Sequence, residues 1–130
     1  MAKGSSAVNI PCSGMFDFYK KYLLFIKPLN PISKLGDKHI DILATFLVKR
    51  HEICKSVKDE SLIPKLLFAT DVRESIREAC KISIPNYYNV MAMFKKMGII
   101  KENDLDKKLL PDLVENRFLL QMAFTVNENK

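Results

Sequence analysis

Glycine is scarce in this chain, with 4 in 130 residues, and no Gly-rich loop of the kind that cradles phosphate is present. Cysteine is also rare. Cys12, Cys54 and Cys80 are odd in number and widely spaced, which argues against a disulfide framework and for a reducing, intracellular setting. Each is expected to be a buried free thiol. There are 2 histidines. His51 and Cys54 stand three apart on a helix and could meet one metal, but a structural zinc site needs about four ligands, normally in close pairs. Cys12, His39 and Cys80 are isolated, so no metal and no cofactor is expected. No apolar run reaches the length of a membrane span, and Met1 to Ser6 lacks the apolar stretch of a secretory signal. The expected location is therefore cytoplasmic. No Ser, Cys or His nucleophile motif stands out, and the acids fall mostly on helix starts and loops. An enzyme is not expected.

What is present describes an ordinary folded chain. Apolar residues make up 48% and charged residues 28%, enough to build one core in one domain and too apolar for disorder throughout. The net charge is +6. Residues 1–58 hold 10 Lys/Arg against 4 Asp/Glu, and residues 59–130 hold 11 against 11, so the excess lies entirely in the first part. A basic surface there suits nucleic acid or another acidic partner, and equally a solvated lysine-rich face. Lys outnumbers Arg by 17 to 4. With frequent Ile and Asn, this points to AT-rich codons and a bacterial, phage or mobile-element gene.

The periodicity orders the chain into elements. Residues 1–14 read as an extended arm. Met15 to Lys27 reads as a short helix, apolar on nearly every side, with Phe16, Phe18, Tyr19, Tyr22 and Phe25, and Pro28 and Pro31 close it. Ile40, Leu43, Ala44, Leu47 and Val48 form one helical stripe behind Asp37, predicting a helix to about Lys55. Residues 56–61 read as a loop. Leu62 to Phe68, interrupted by Pro64, reads as an edge strand. Thr70 is placed as the N-cap of a helix from Asp71 to Cys80 that buries Val72, Ile76 and Ala79. After a break at Lys81–Ser83, Ser83 caps a helix that carries Pro85 in its first turn and stops at Gly98. Ile99 and Ile100 start a strand. Phe118 to Val126 alternates with period two, the pattern of a strand with one face in the core.

The stretch TDVRESIREACKISIPNYYNVMAMFKKMGII resembles the winged helix-turn-helix family. A helix leads through a short turn to a second helix. That helix closes on the basic pair Lys95 and Lys96, then Met97, Gly98 and the apolar pair Ile99 and Ile100, as recognition helices of the family do before the wing. The resemblance spans residues 35–126 and leaves 1–34 as an N-terminal arm and aromatic segment. It implies a mainly α fold with a small β-wing, of the α+β class, in which residues 101–117 form the wing. It also implies that the helix after Ser83 lies in the major groove of double-stranded DNA. A helical wheel puts Tyr87, Val90, Met91, Phe94, Met97 and Gly98 toward the core. Pro85, Asn89, Ala92 and Lys96 lie opposite, flanked by Asn86, Tyr88, Met93 and Lys95. Asn reads adenine, and Lys reads guanine or phosphate. The candidate DNA contacts are therefore Asn86, Tyr88, Asn89, Lys95 and Lys96.

Two functions follow. The first is a small non-enzymatic DNA-binding protein acting in transcription control or replication initiation. The second is a phage virion or assembly protein that uses the same fold for protein contacts, which would put it in host cytoplasm or virion. For the aromatic segment two fates stay open. It folds back over the domain, or Phe16, Phe18, Tyr19, Tyr22 and Phe25 dock on a partner or a second copy. Leu47, Ile76, Met91, Phe94 and Phe124 are expected to be buried together.

Overall fold

The computed structural model describes residues 8–29 and 31–128. The first half of the expected arm, residues 1–7, lies outside the described residues. The chain is mainly helical with one small two-stranded antiparallel sheet. The elements are α1 (Met15–Ile26), α2 (Asp37–Ser56), α3 (Ile63–Leu67), α4 (Thr70–Cys80), α5 (Ile84–Lys96), β1 (Ile100–Lys101) and β2 (Asp104–Leu105).

Helix α2 is the centre of the fold. The expected stripe is buried at Ile40, Leu43, Ala44 and Leu47, and Ile42, Thr45 and Phe46 are buried as well. The helix is covered from several sides, because α1, α3 and α4 all pack on it. One continuous core runs from Tyr19 in α1 through Leu47, Ile76, Met91 and Phe94 to Leu109. Of the two fates of the aromatic segment, the structure shows the fold-back. Tyr19, Tyr22, Leu23 and Ile26 are buried, Phe18 is half-buried, and Phe16 and Phe25 face solvent. Burial pushes the Tyr19 phenol up to about 12. The segment before α1 is tied to it: the Asp17 carboxylate accepts from the Ser13 backbone N–H at 2.9 Å, which holds its pKa below the ordinary carboxylate value.

Several expectations are corrected. Residues 62–68 do not form an edge strand. A 3-10 turn over Glu60–Leu62 runs into helix α3. Asp59 caps that turn by accepting from Ser61 N at 3.0 Å, Pro64 sits in the first helical turn, where its missing N–H costs nothing, and Ile63 and Leu67 are buried four apart. In α4 the N-cap is Ala69 rather than Thr70, and Ala79 is exposed, leaving Ile76 as the buried anchor and Val72 half-covered. The cysteines are free but not buried. Cys12 and Cys54 are exposed and Cys80 is half-buried. Cys12 precedes α1 in an exposed segment, and full burial on α2 ends at Leu47, before Cys54 is reached. The largest departure is the C-terminal segment. Residues 118–126 form no strand, and Phe124 is 89% exposed. Alternation supplies a face, but a strand also needs a neighbour to share a ladder, and β1 pairs with β2.

The antiparallel hairpin that is present is much shorter than the wing expected over residues 101–117. Ile100 pairs with Leu105 and Lys101 with Asp104 across a two-residue turn. Glu102 and Asn103 both take positive φ, 53° and 64°, the signature of the mirror-image turn that suits hairpin twist. An ion pair braces this hairpin to α2: Arg50 Nε donates to Asp104 Oδ1 at 3.2 Å and Nη2 to Oδ2 at 3.1 Å. With both side chains about four-fifths covered, this two-pronged contact is of the more effective kind.

The junction between α4 and α5 holds one strained residue. Lys81 sits at φ 55°, ψ 52°, in the left-handed region, and Ile82 N closes the turn on Arg77 O at 3.1 Å. A side chain there costs about 1–2 kcal/mol, and glycine removes that cost while loosening the unfolded chain. Lys81→Gly is expected to raise the unfolding free energy by about 0.5–1 kcal/mol, measured by urea denaturation. A loss of stability would show that Lys81 makes a compensating contact.

Candidate nucleic-acid interface

Helix α5 is amphipathic in the register its sequence dictates. Ser83 accepts from Asn86 N at 3.2 Å and fixes the start, with Pro85 in the first turn. Gly98, at φ 80°, ends it, and Ile99 N closes on Phe94 O at 2.9 Å. Tyr87, Val90, Met91 and Phe94 are buried. Tyr87 packs its ring 6.1 Å from Phe46, and burial pushes its phenol up to about 12. Met97 and Gly98, placed toward the core by the wheel, are half-buried.

The opposite face is open from end to end. Asn86, Tyr88, Asn89, Lys95 and Lys96 are all exposed, as are Pro85 and Ala92 between them. Pro85, Asn89, Ala92 and Lys96, spaced by three, four and seven, form one line along the helix, with Asn86 on one flank of it and Tyr88 and Lys95 on the other. All five candidate contacts are thus exposed, with Asn89 and Lys96 central, Asn86 on one edge and Tyr88 and Lys95 on the other. The hairpin follows directly, and the Lys101 side chain passes over Gly98, its Cε 3.4 Å from where a Cβ would stand. Lys101 also pairs loosely with Asp106 at 3.6 Å, and Lys107 and Lys108 are exposed just beyond β2. Lys101 on the hairpin thus stands next to the end of α5 that carries Lys95 and Lys96, among the acids Glu102, Asp104 and Asp106. Glu102 and Asn103 at the hairpin tip are exposed beside it.

A second cationic group joins the face from α4. Arg73 Nη1 donates to the Tyr88 hydroxyl at 2.7 Å, and its guanidinium carbon lies 5.8 Å from the Tyr88 ring centre. Glu74 holds Arg73 at 3.1 Å and Arg77 at 2.6 Å. The two guanidinium groups, Arg77 first, keep the Glu74 carboxyl below its ordinary value. Arg77 also donates to Ile82 O at 3.2 Å and so ties α4 to the turn. The sequence does not single out Arg73. The available signal is that two of the chain's 4 arginines, Arg73 and Arg77, stand one helical turn apart inside the helix-turn-helix-like stretch. An arginine fork is a better phosphate ligand than a lysine.

The predicted protein-contact residues do not gather at one site. Tyr19 and Tyr22 belong to the core, and Phe18 meets Phe118 at 6.0 Å between ring centres. Phe16 lines a groove of about 670 Å³ between α1, α2 and α4, with Thr45, Val48 and Cys80. Among the described residues, no group of three His, Cys, Asp or Glu is placed to hold a metal, and no helix is long and apolar enough to cross a membrane. No family model, no curated protein and no solved structure matches the chain.

Proposed function

We propose that this chain is a non-enzymatic DNA-binding protein of winged helix-turn-helix type, in which α4 and α5 form the helix-turn-helix and the Ile100–Leu105 hairpin forms a short wing. The observation that carries this reading is the outward face of α5. It is open at Pro85, Asn89, Ala92 and Lys96, bears Asn86 on one edge and Lys95 on the other, and ends beside Lys101 of the hairpin, while the other side of the helix is core. A surface with amide groups at one end and lysines at the other suits limited base reading with affinity from phosphate contacts. Arg73, seated on Tyr88, is the added phosphate ligand. Transcription control or replication initiation is the setting such a protein would serve.

The test is a titration of labelled protein with duplex DNA, followed residue by residue by NMR. Shifts are expected in α5, at Arg73 and across residues 101–108. Shifts confined to α1 and the C-terminal segment, or none at low salt, would contradict the reading. A second reading, an assembly protein working through protein contacts, has its own support in the exposed apolar residues after Arg117, among them Leu119 at 84%, Phe124 at 89% and Val126 at 80%.

A further inference from the structure

We infer that residues 118–126 are a self-association strand, and that its partner is the same segment of a second copy, paired antiparallel. Four observations on this segment lead to that occupant.

The first is the unmet demand of the segment itself. It follows a turn closed by mutual main-chain hydrogen bonds between Val114 and Arg117, at 2.8 and 2.9 Å. Beyond that point, among the described residues, no main-chain hydrogen bond involves residues 118–126. Leu119, Phe124 and Val126 are almost fully exposed, and Leu120 and Met122 are 38% and 44% exposed. A chain with alternating apolar positions and a free ladder is suited to add to another edge.

The second is charge. Residues 118–127 contain no charged side chain, and the run is bounded by Arg117 at one end and Glu128 at the other. Antiparallel pairing of two copies sets the Arg117 end of each against the Glu128 end of the other. Parallel pairing would set like against like. A charged partner surface would find nothing along the run to recognise.

The third is register. With Met122 opposite Met122, Phe118 falls opposite Val126 and Leu120 opposite Phe124. All five then share one face, and the second face pairs Leu119 with Thr125 and Gln121 with Ala123. Shifting by one residue would mix the faces and lose this match. A shift by two keeps the faces but leaves Val126 or Phe118 without an apolar partner, so this register alone pairs all five.

The fourth is a base for the ribbon. Two strands alone are marginal in water and need an apolar surface beneath them. Phe118 is already seated on α1, its ring 5.3 Å from Tyr22 at 89° and 6.0 Å from Phe18. Phe25, half exposed, lies on the same helical stripe one turn on. The root of each strand is thus fixed on an aromatic surface that extends past it.

The experiment uses the full chain. Sedimentation equilibrium is expected to give twice the chain mass for the wild type and the chain mass for Met122→Lys. That exposed change should leave the far-ultraviolet circular dichroism unaltered. In a background of Cys12→Ser, Cys54→Ser and Cys80→Ala, Met122→Cys is expected to form an intermolecular disulfide on mild oxidation, since directly opposed residues have Cα atoms about 4.5–5.5 Å apart. Leu119→Cys is expected to form none, because its two copies lie about 20 Å apart in this register. A monomeric wild type, a dimer that survives Met122→Lys, an open polymer, or cross-linking at Leu119→Cys in place of Met122→Cys would each overturn the proposal.

Discussion

Phe94→Ala is expected to lower the unfolding free energy by about 3–5 kcal/mol, as read from urea denaturation. Phe94 is 0% exposed and belongs to the core shared by α2, α4 and α5. Removing the ring takes away its transfer free energy and leaves a cavity. The surrounding core closes that cavity poorly, because its side chains belong to several helices packed on one another. The residue also sets the register of α5, since its carbonyl accepts the Ile99 N–H that turns the chain into the hairpin. A loss below about 1 kcal/mol would mean that this side chain does not anchor the helix, and with it the outward face would lose its assignment.

The second large effect concerns DNA. In the proposed interface, Lys95 and Lys96 meet phosphates at the end of α5, where both are exposed and neither forms an ion pair with an acid among the described residues. Replacing both by Ala is expected to weaken binding of all duplex sequences alike. Each lysine–phosphate pair removed should weaken affinity on the order of tenfold near 0.1 M salt and flatten the salt slope by about 0.9. Asn89→Ala should behave differently. It should leave the salt slope unchanged and reduce discrimination between sequences, because an amide that reads a base edge carries specificity and little charge. Fluorescence anisotropy on two unrelated duplexes separates these outcomes. Equal binding by the wild type and the double lysine variant would exclude the end of α5 from the interface.

The helices are legible in the sequence where the period of apolar residues is sustained and their ends are marked by chemistry. Helix α2, expected from Asp37 to about Lys55, runs from Asp37 to Ser56. Ser83, Pro85 and Gly98 set the limits of α5, and its buried and exposed faces fall where the wheel puts them. Legibility fails where a short pattern fits two structures. Leu62 to Phe68 is too short for periodicity to decide, and Pro64, tolerated at a strand edge, is equally suited to a first helical turn. Leu119 to Val126 has the alternation of a strand, but alternation says nothing about whether a partner edge exists in the same chain. Four of the five expected core residues are buried, and the fifth, Phe124, is exposed for that reason. In the candidate interface, the residues of α5 follow from one helix alone. Arg73 does not, because its place beside Tyr88 depends on how two helices pack. The Arg50 brace on Asp104 joins residues 54 apart and has no local signature.

The central claim, that the face of α5 binds duplex DNA through phosphate contacts, is tested most directly by the affinity of the full-length wild type for duplex across a range of salt concentrations. The account predicts measurable binding at low salt, with the logarithm of the affinity falling linearly against the logarithm of salt at a slope of about −0.9 per phosphate contact. No binding at low salt, or binding indifferent to salt, would contradict it.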